Sequence, residues 1–226
     1  MDPTILKPFH GIQTSLIPLS SAHYLYLCRW DKTPVDFSSF SNIWLVTPED
    51  HHTLFVDPAG VKRIPLIYHN FHALVEASIS LDWESDNHLS VKCISLSGGQ
   101  GIKLDITMRE TLWSRSITGL SPAKPTPFLL SKSMAAVTSL LVNFLVTKGD
   151  MTLFGVTETG QPFYAGVSEK LKLIDHGSAS VNGMDLGFIT SPTWPLQFGD
   201  FIPCIQPVIR WGTLFIPYEE NMYLDQ

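Results

Sequence analysis

The chain has 226 residues, of which 44% are hydrophobic, 11% aromatic and only 16% charged, a composition that argues against intrinsic disorder and supports one sizeable core in a single domain, 1–226. A net charge of −6 without any Lys/Arg cluster argues against a nucleic-acid partner. Cys28, Cys93 and Cys204 are widely spaced, and neither a signal-peptide pattern nor a glycosylation sequon is present, which points to reduced thiols and a cytoplasmic location.

Residues 1–21 carry Pro3, Pro8 and Pro18 and are expected to wrap the surface. Ala22–Trp30 reads as a strand, with Tyr24, Tyr26, Cys28 and Trp30 on one face and Leu25, Leu27 and Arg29 on the other. Two apolar faces predict a central position. Ile43–Thr47 and Thr53–Asp57 form an expected strand pair around Pro48-Glu49-Asp50, and Asp57-Pro58-Ala59-Gly60 is a turn. Val75, Ala77, Ile79, Leu81 and Trp83 then alternate with Glu76, Ser78, Ser80 and Asp82, the period of a half-buried strand. Turns at Glu84–Asn87 and Gly98–Gly101 complete a three-strand meander through Leu89–Leu96 and Ile102–Met108. Thr111–Ile117 is expected to add a fourth strand.

Ser131–Lys148 carries the strongest helix signal. Met134, Ala135, Ala136, Leu140, Leu141 and Leu145 favour helix, no Pro or Gly interrupts, and Gly149 follows Lys148 as a stop signal. Val137, Leu140, Leu141, Phe144 and Leu145 share one face, while Lys132, Ser139, Asn143 and Thr147 form a polar stripe. The uncharged part falls short of the roughly 20 residues a membrane span needs, so a long buried helix is expected and no membrane span. Met151–Val156 and Phe163–Val167 predict a hairpin, and Asn182-Gly183 is a strong turn between Ser178–Val181 and Met184–Ile189. The aromatic, proline-rich tail reads as a strand or two plus irregular packing. Together these features predict a mostly β (α+β) fold, a curled antiparallel sheet or β-barrel with one long buried helix. A small-molecule pocket would lie at its mouth or interior.

Gly98-Gly99-Gln100-Gly101 precedes a strand rather than a helix, which makes it a hairpin and not a phosphate loop. His69, His72 and Glu76 would converge only on a helix; on a strand the spacing of three splits the histidines between faces, so no metal is expected. Burying an amine lowers its pKa and makes it nucleophilic, and Lys132 is the best-placed lysine, with Lys92 and Lys103 as further candidates should the polar meander face turn inward. Acid–base chemistry on a held substrate could use Glu76, Asp82, Glu84 or Asp105 on the meander, or Tyr24, Tyr26 and His176.

The β-rich layout, the Leu-rich segment after Pro125-Thr126-Pro127 and the Asp175–Gly187 stretch resemble acetoacetate decarboxylase-like proteins. That resemblance implies a decarboxylase-type barrel whose reactive lysine belongs to a Lys-Lys pair after Pro; this sequence has no Lys-Lys pair, so the Schiff-base role is not carried over. A lipocalin-like barrel fits the same periodicity. The leading expectation is therefore a small-molecule-binding protein acting as a lyase, isomerase or cyclase on an apolar keto-, polyketide- or terpenoid-like substrate. Its expected catalytic residues are Lys132, Asp105, Glu76, Tyr26 and His176, without a cofactor. A non-catalytic carrier or sensor with the same pocket is the alternative, and a module that pairs with another chain, including a homodimer, is the third reading.

Overall fold

The computed structural model describes residues 6–35, 37–99, 101–119, 136, 137, 139–141, 143, 144, 153–166, 168–196, 198–201 and 203–218. The elements are β1 (Leu6–Thr14), β2 (Ile17–Pro18), β3 (Tyr24–Lys32), β4 (Phe40–Val46), β5 (His52–Asp57), a 3-10 turn (Ala59–Lys62), α1 (Arg63–Tyr68), β6 (Ala73–Ser85), β7 (His88–Ser95), β8 (Gly101–Arg109) and α2 (Leu112–Gly119). After these come β9 (Phe154–Val156), β10 (Pro162–Ala165), β11 (Lys170–Val181), β12 (Met184–Phe188) and β13 (Val208–Pro217).

One 13-stranded sheet runs in the order β12-β11-β8-β7-β6-β5-β4-β3-β1-β13-β10-β9, with β2 on β3. Lys170–Leu173 of β11 also pair with β13, while the rest of β11 pairs with β8, so the sheet curls round until its two arms touch. Of the two expected forms this is the curled sheet rather than a closed barrel, because β12 and the β10–β9 pair extend past that contact. It is mixed rather than purely antiparallel. β5 and β6 are parallel, and the 3-10 turn with α1 supplies the crossover that parallel neighbours require.

Alternation sorts the side chains onto two faces. The inner face is a continuous aliphatic cluster with members from every strand of the curl, among them Ile12, Leu27, Ile43, Phe55, Ile79, Val91, Leu104, Ile174 and Ile209. The opposite face of β1, β3, β4 and β13 carries a second, aromatic cluster, including Phe9, Tyr26, Trp30, Phe40 and Trp44. It is covered by α1, β10 and the segment around Trp194 and Phe198. The inner face is filled by this cluster; among the described residues, open space lies on the aromatic side and in grooves along the β7–β8–β11 ladder and beside the start of β6.

The meander forms as expected, with Leu89, Val91 and Cys93 buried opposite Ile102, Leu104 and Ile106. So does the Asn182-Gly183 turn, where φ is +55° and +80°, the left-handed pair a two-residue hairpin demands. Three expectations need correction. Residues 6–14 do not wrap the surface but form β1, a central strand between β13 and β3; Phe9 and Ile12 are buried on opposite faces, which outweighs Pro8. The segment from Thr111 is not a strand but the short helix α2, its start closed by the reciprocal hydrogen bonds between Thr111 and Ser114.

The third correction concerns the long helix. Among its described residues, 136, 137 and 139–141 are α-helical and 143 and 144 π-helical, and Val137 (52%), Leu140 (70%) and Phe144 (83%) are exposed. Ser139 is the buried one, its Oγ accepting the Leu153 N–H at 3.1 Å. Among the described residues, therefore, Ser139 of the polar stripe faces the protein body while Val137, Leu140 and Phe144 of the apolar face point away, and a long buried helix is not borne out. Lys132 and Leu145 lie outside the described residues.

Candidate functional site

Two neighbouring pockets on the aromatic face share Tyr26, Trp44, Phe201 and Leu214 as walls, and together these two lobes make up the candidate cavity. Each lobe has an internal volume of about 50 Å³, less than a preformed small-molecule site usually offers, so a ligand would occupy the open mouths as well. The walls are fixed from both sides. Tyr68 Oη donates to the Pro217 carbonyl at 2.7 Å and holds α1 against β13. Tyr24 Oη donates to the Trp194 carbonyl at 2.7 Å, and Trp194 Nε1 to the Ala22 carbonyl at 2.9 Å, which pin the covering segment to β3. Phe163 and Phe201 stack with centroids 4.3 Å apart. At the centre the Trp44 ring lies 4.3 Å from Tyr26, 4.5 Å from His69 and 5.1 Å from Phe198.

A row of polar residues crosses this apolar face. Arg210 on β13 is paired directly with Gln13 on β1, Gln13 with Cys28 on β3, and Cys28 with Asn42 on β4. All four side chains are buried. Cys28 Sγ donates to Asn42 Oδ1 at 3.1 Å, and Arg210 donates from Nη1 to the Gly166 carbonyl at 3.0 Å. Gln13 Nε2 and Trp44 Nε1 are buried without a hydrogen-bond partner, and His69 Nδ1 has only Glu158 Oε2, 3.4 Å away and outside good hydrogen-bond geometry. Buried polar atoms are rarely left so, and each costs desolvation energy that only a further partner can offset.

The electrostatics set the protonation states. Burial pushes the Tyr26 phenol well above its ordinary range and raises the Cys28 thiol strongly, so both stay protonated and Cys28 is a poor nucleophile. Burial lowers the Arg210 guanidinium to about 10, which leaves it charged at neutral pH. Burial also lowers the His69 imidazole below its ordinary 6.5, although Glu158, 3.4 Å away, pulls it back in part. Glu158 Oε2 is held in place by the Asn70 N–H at 3.0 Å.

A folded-state pKa below the unfolded value means that the unfolded chain binds more protons in acid. The contribution of His69 is therefore complete above pH 6.5 and is lost as pH falls through its folded-state value. Wild type should lose urea resistance between about pH 7 and about pH 5, and His69→Gln should show a shallower loss. Equal slopes in the two proteins would contradict the assignment.

Of the expected catalytic residues, only Tyr26 reaches this cavity. Glu76 is ion-paired with Lys62 at 3.1 Å, and Asp105 accepts from His88 Nε2 at 2.9 Å; both sit on the outer face of the meander. His176 is exposed beside a bulge in β11, and Lys132 is outside the described residues. Lys92 and Lys103 face each other across β7 and β8 and are exposed, so the polar face of the meander does not turn inward. Among the described residues the buried lysine is instead Lys172, whose amine donates to the Asp86 carbonyl and, at 2.8 Å, to Asn87 Oδ1. Burial, with Lys170 nearby, lowers its amine below the ordinary lysine range, but it sits at the β6–β7 turn and does not line the cavity.

The histidines do not converge as the helical spacing would require. His69 packs on Trp44, while His72 stacks with His51 at 4.9 Å. Among the described residues no group of His, Cys, Asp or Glu has the geometry to hold a metal ion, and no helix is long and apolar enough to cross a membrane. All three cysteines are buried and none forms a disulfide. No family model, curated protein or solved structure matches the chain.

Proposed function

We propose that the protein binds a small, largely apolar molecule against Trp44 and acts on it by shape and acid–base assistance, as a lyase, isomerase or cyclase. The observation that carries this reading is the coincidence, around the shared Trp44 wall, of two buried polar atoms without partners and a buried imidazole with only a long contact to Glu158. Tyr26 and His69 flank the Trp44 ring on the same lobe. Tyr26, held neutral, is the proton donor, and His69, also neutral, is the acceptor; Glu158 orients the imidazole and steadies it once charged. The ligand's flat apolar body packs among Trp44, Phe163 and Phe201, where ring stacking adds to burial. A keto group conjugated to that body would place its carbonyl oxygen at Tyr26 and its acidic C–H at His69.

The likeness to acetoacetate decarboxylase-like proteins enters this reading as layout alone, without lysine chemistry. A cytoplasmic location fits three cysteines that form no disulfide. Exchange of ligand protons with deuterated solvent tests the assignment on a panel of aryl ketones and enones. Wild type should catalyse exchange at the carbon next to the carbonyl, and His69→Gln should slow it by about two orders of magnitude or more. Binding without any exchange would instead favour the carrier or sensor.

A further inference from the structure

Arg210 has no role in that acid–base scheme, yet its position is the least expected in the cavity. It is 3% exposed and shares its strand face with Val208, Leu214 and Ile216. Among the described residues no carboxylate forms an ion pair with it; its recorded acceptors are the neutral Gly166 and Thr213 carbonyls, the latter at 3.5 Å. A guanidinium has five N–H donors, so donors remain. Beside it across the ladder stands Gln13, 4% exposed, whose Nε2 has no partner. Both residues line the same lobe as Trp44, whose indole N–H is also unpartnered.

A buried charge without a counter-charge is strongly unfavourable unless something completes it. The missing complement is one negative charge with acceptor oxygens that can reach a guanidinium, an amide and an indole N–H. A carboxylate supplies this, two oxygens matching the guanidinium fork. Asp200 lines the same lobe, its Oδ2 accepting the Val156 N–H at 2.7 Å and not ion-paired with Arg210, so a monoanion fits better than a phosphate dianion. We infer that the ligand is a small monocarboxylic acid with a flat apolar body, its carboxylate anchored by Arg210 and Gln13 and its body lying along Trp44. This rests on the binding part of the function proposed above and supplies the ligand's chemical class.

Cinnamate and its neutral isostere cinnamamide, titrated calorimetrically into the full chain, test it. Cinnamate should bind at least about tenfold more tightly. Arg210→Met should bring cinnamate down to the affinity of cinnamamide, and Arg210→Lys should retain part of the preference. Equal affinity of the two compounds for wild type would overturn the anchor and leave the apolar cavity standing; this comparison needs no variant, so misfolding of Arg210→Met would not protect the inference. A preference that survives in a folded Arg210→Met protein would overturn the role of Arg210. Failure of both compounds to bind at millimolar concentration would overturn the cavity as a site and the anchor with it.

Discussion

Gly11→Val should cost about 3 kcal/mol or more, a large share of the roughly 5–15 kcal/mol that holds a folded domain. A Cβ at Gly11 would lie 2.0 Å from the Arg29 carbonyl oxygen and 2.8 Å from the Trp30 Cα. Both obstacles are backbone, so no rotamer change relieves the clash. The strand cannot retreat either. β1 pairs with β13 from Leu6 to Thr14 and with β3 on its other side, and moving it would break both ladders and shift Gln13 off Arg210. The expected reading is a fall in thermal midpoint of about 10 °C for a chain of this size. A midpoint within a degree or two of wild type would mean that β1 is not held between β3 and β13 as described.

Trp44→Ala should be destabilising by about 3–5 kcal/mol, the usual range for emptying a buried tryptophan site, because Tyr26, His69, Phe71 and Phe198 all pack on its ring. Trp44→Phe separates scaffold from site. It keeps much of the aromatic packing but removes an indole N–H that is buried without a partner. A group that is unsatisfied in the free protein contributes little to its stability. Trp44→Phe should therefore stay within about 1 kcal/mol of wild type and yet bind a carboxylate ligand more weakly. Large destabilisation by Trp44→Phe, with unchanged binding, would make the indole N–H a structural group rather than a ligand contact.

The parts of the fold that sequence alone reveals are those whose signal is local. The β6–β7–β8 meander shows a two-residue period between glycine-rich or polar turns, and Asn182-Gly183 writes its hairpin in two residues. β1 and β13 were obscured because Pro8, Gly11, Arg210 and Gly212 break the apolar alternation that marks a strand, and what holds them is their pairing with each other across most of the chain. For the helix, local propensity anticipated helical residues between 136 and 141 but not their facing. Ser139 is turned inward by a bond to Leu153, a contact that no helical periodicity encodes.

The site follows the same division. Tyr26 could be found from its own strand, whereas Gln13, Cys28, Asn42 and Arg210 become one row only through the register of four strands. The available hint was chemical: Arg210 is the one charge on a face shared with Val208, Leu214 and Ile216, and Asn42 lies between Phe40 and Trp44. Glu76, Asp105 and His176 drew attention as polar groups beside clear strands, but that polar face is turned to solvent.

The central claim is that the cavity under Trp44 is the ligand site, and the indole N–H signals of the chain report on it directly. In a nitrogen–proton correlation spectrum assigned through single Trp→Phe variants, titrated cinnamate should shift the Trp44 indole and the Gln13 side-chain amide. The Trp83 and Trp211 indoles, which pack together away from the cavity, should stay in place. Shifts confined to Trp83 and Trp211, or a Trp44 signal unmoved at saturating ligand, would contradict the claim.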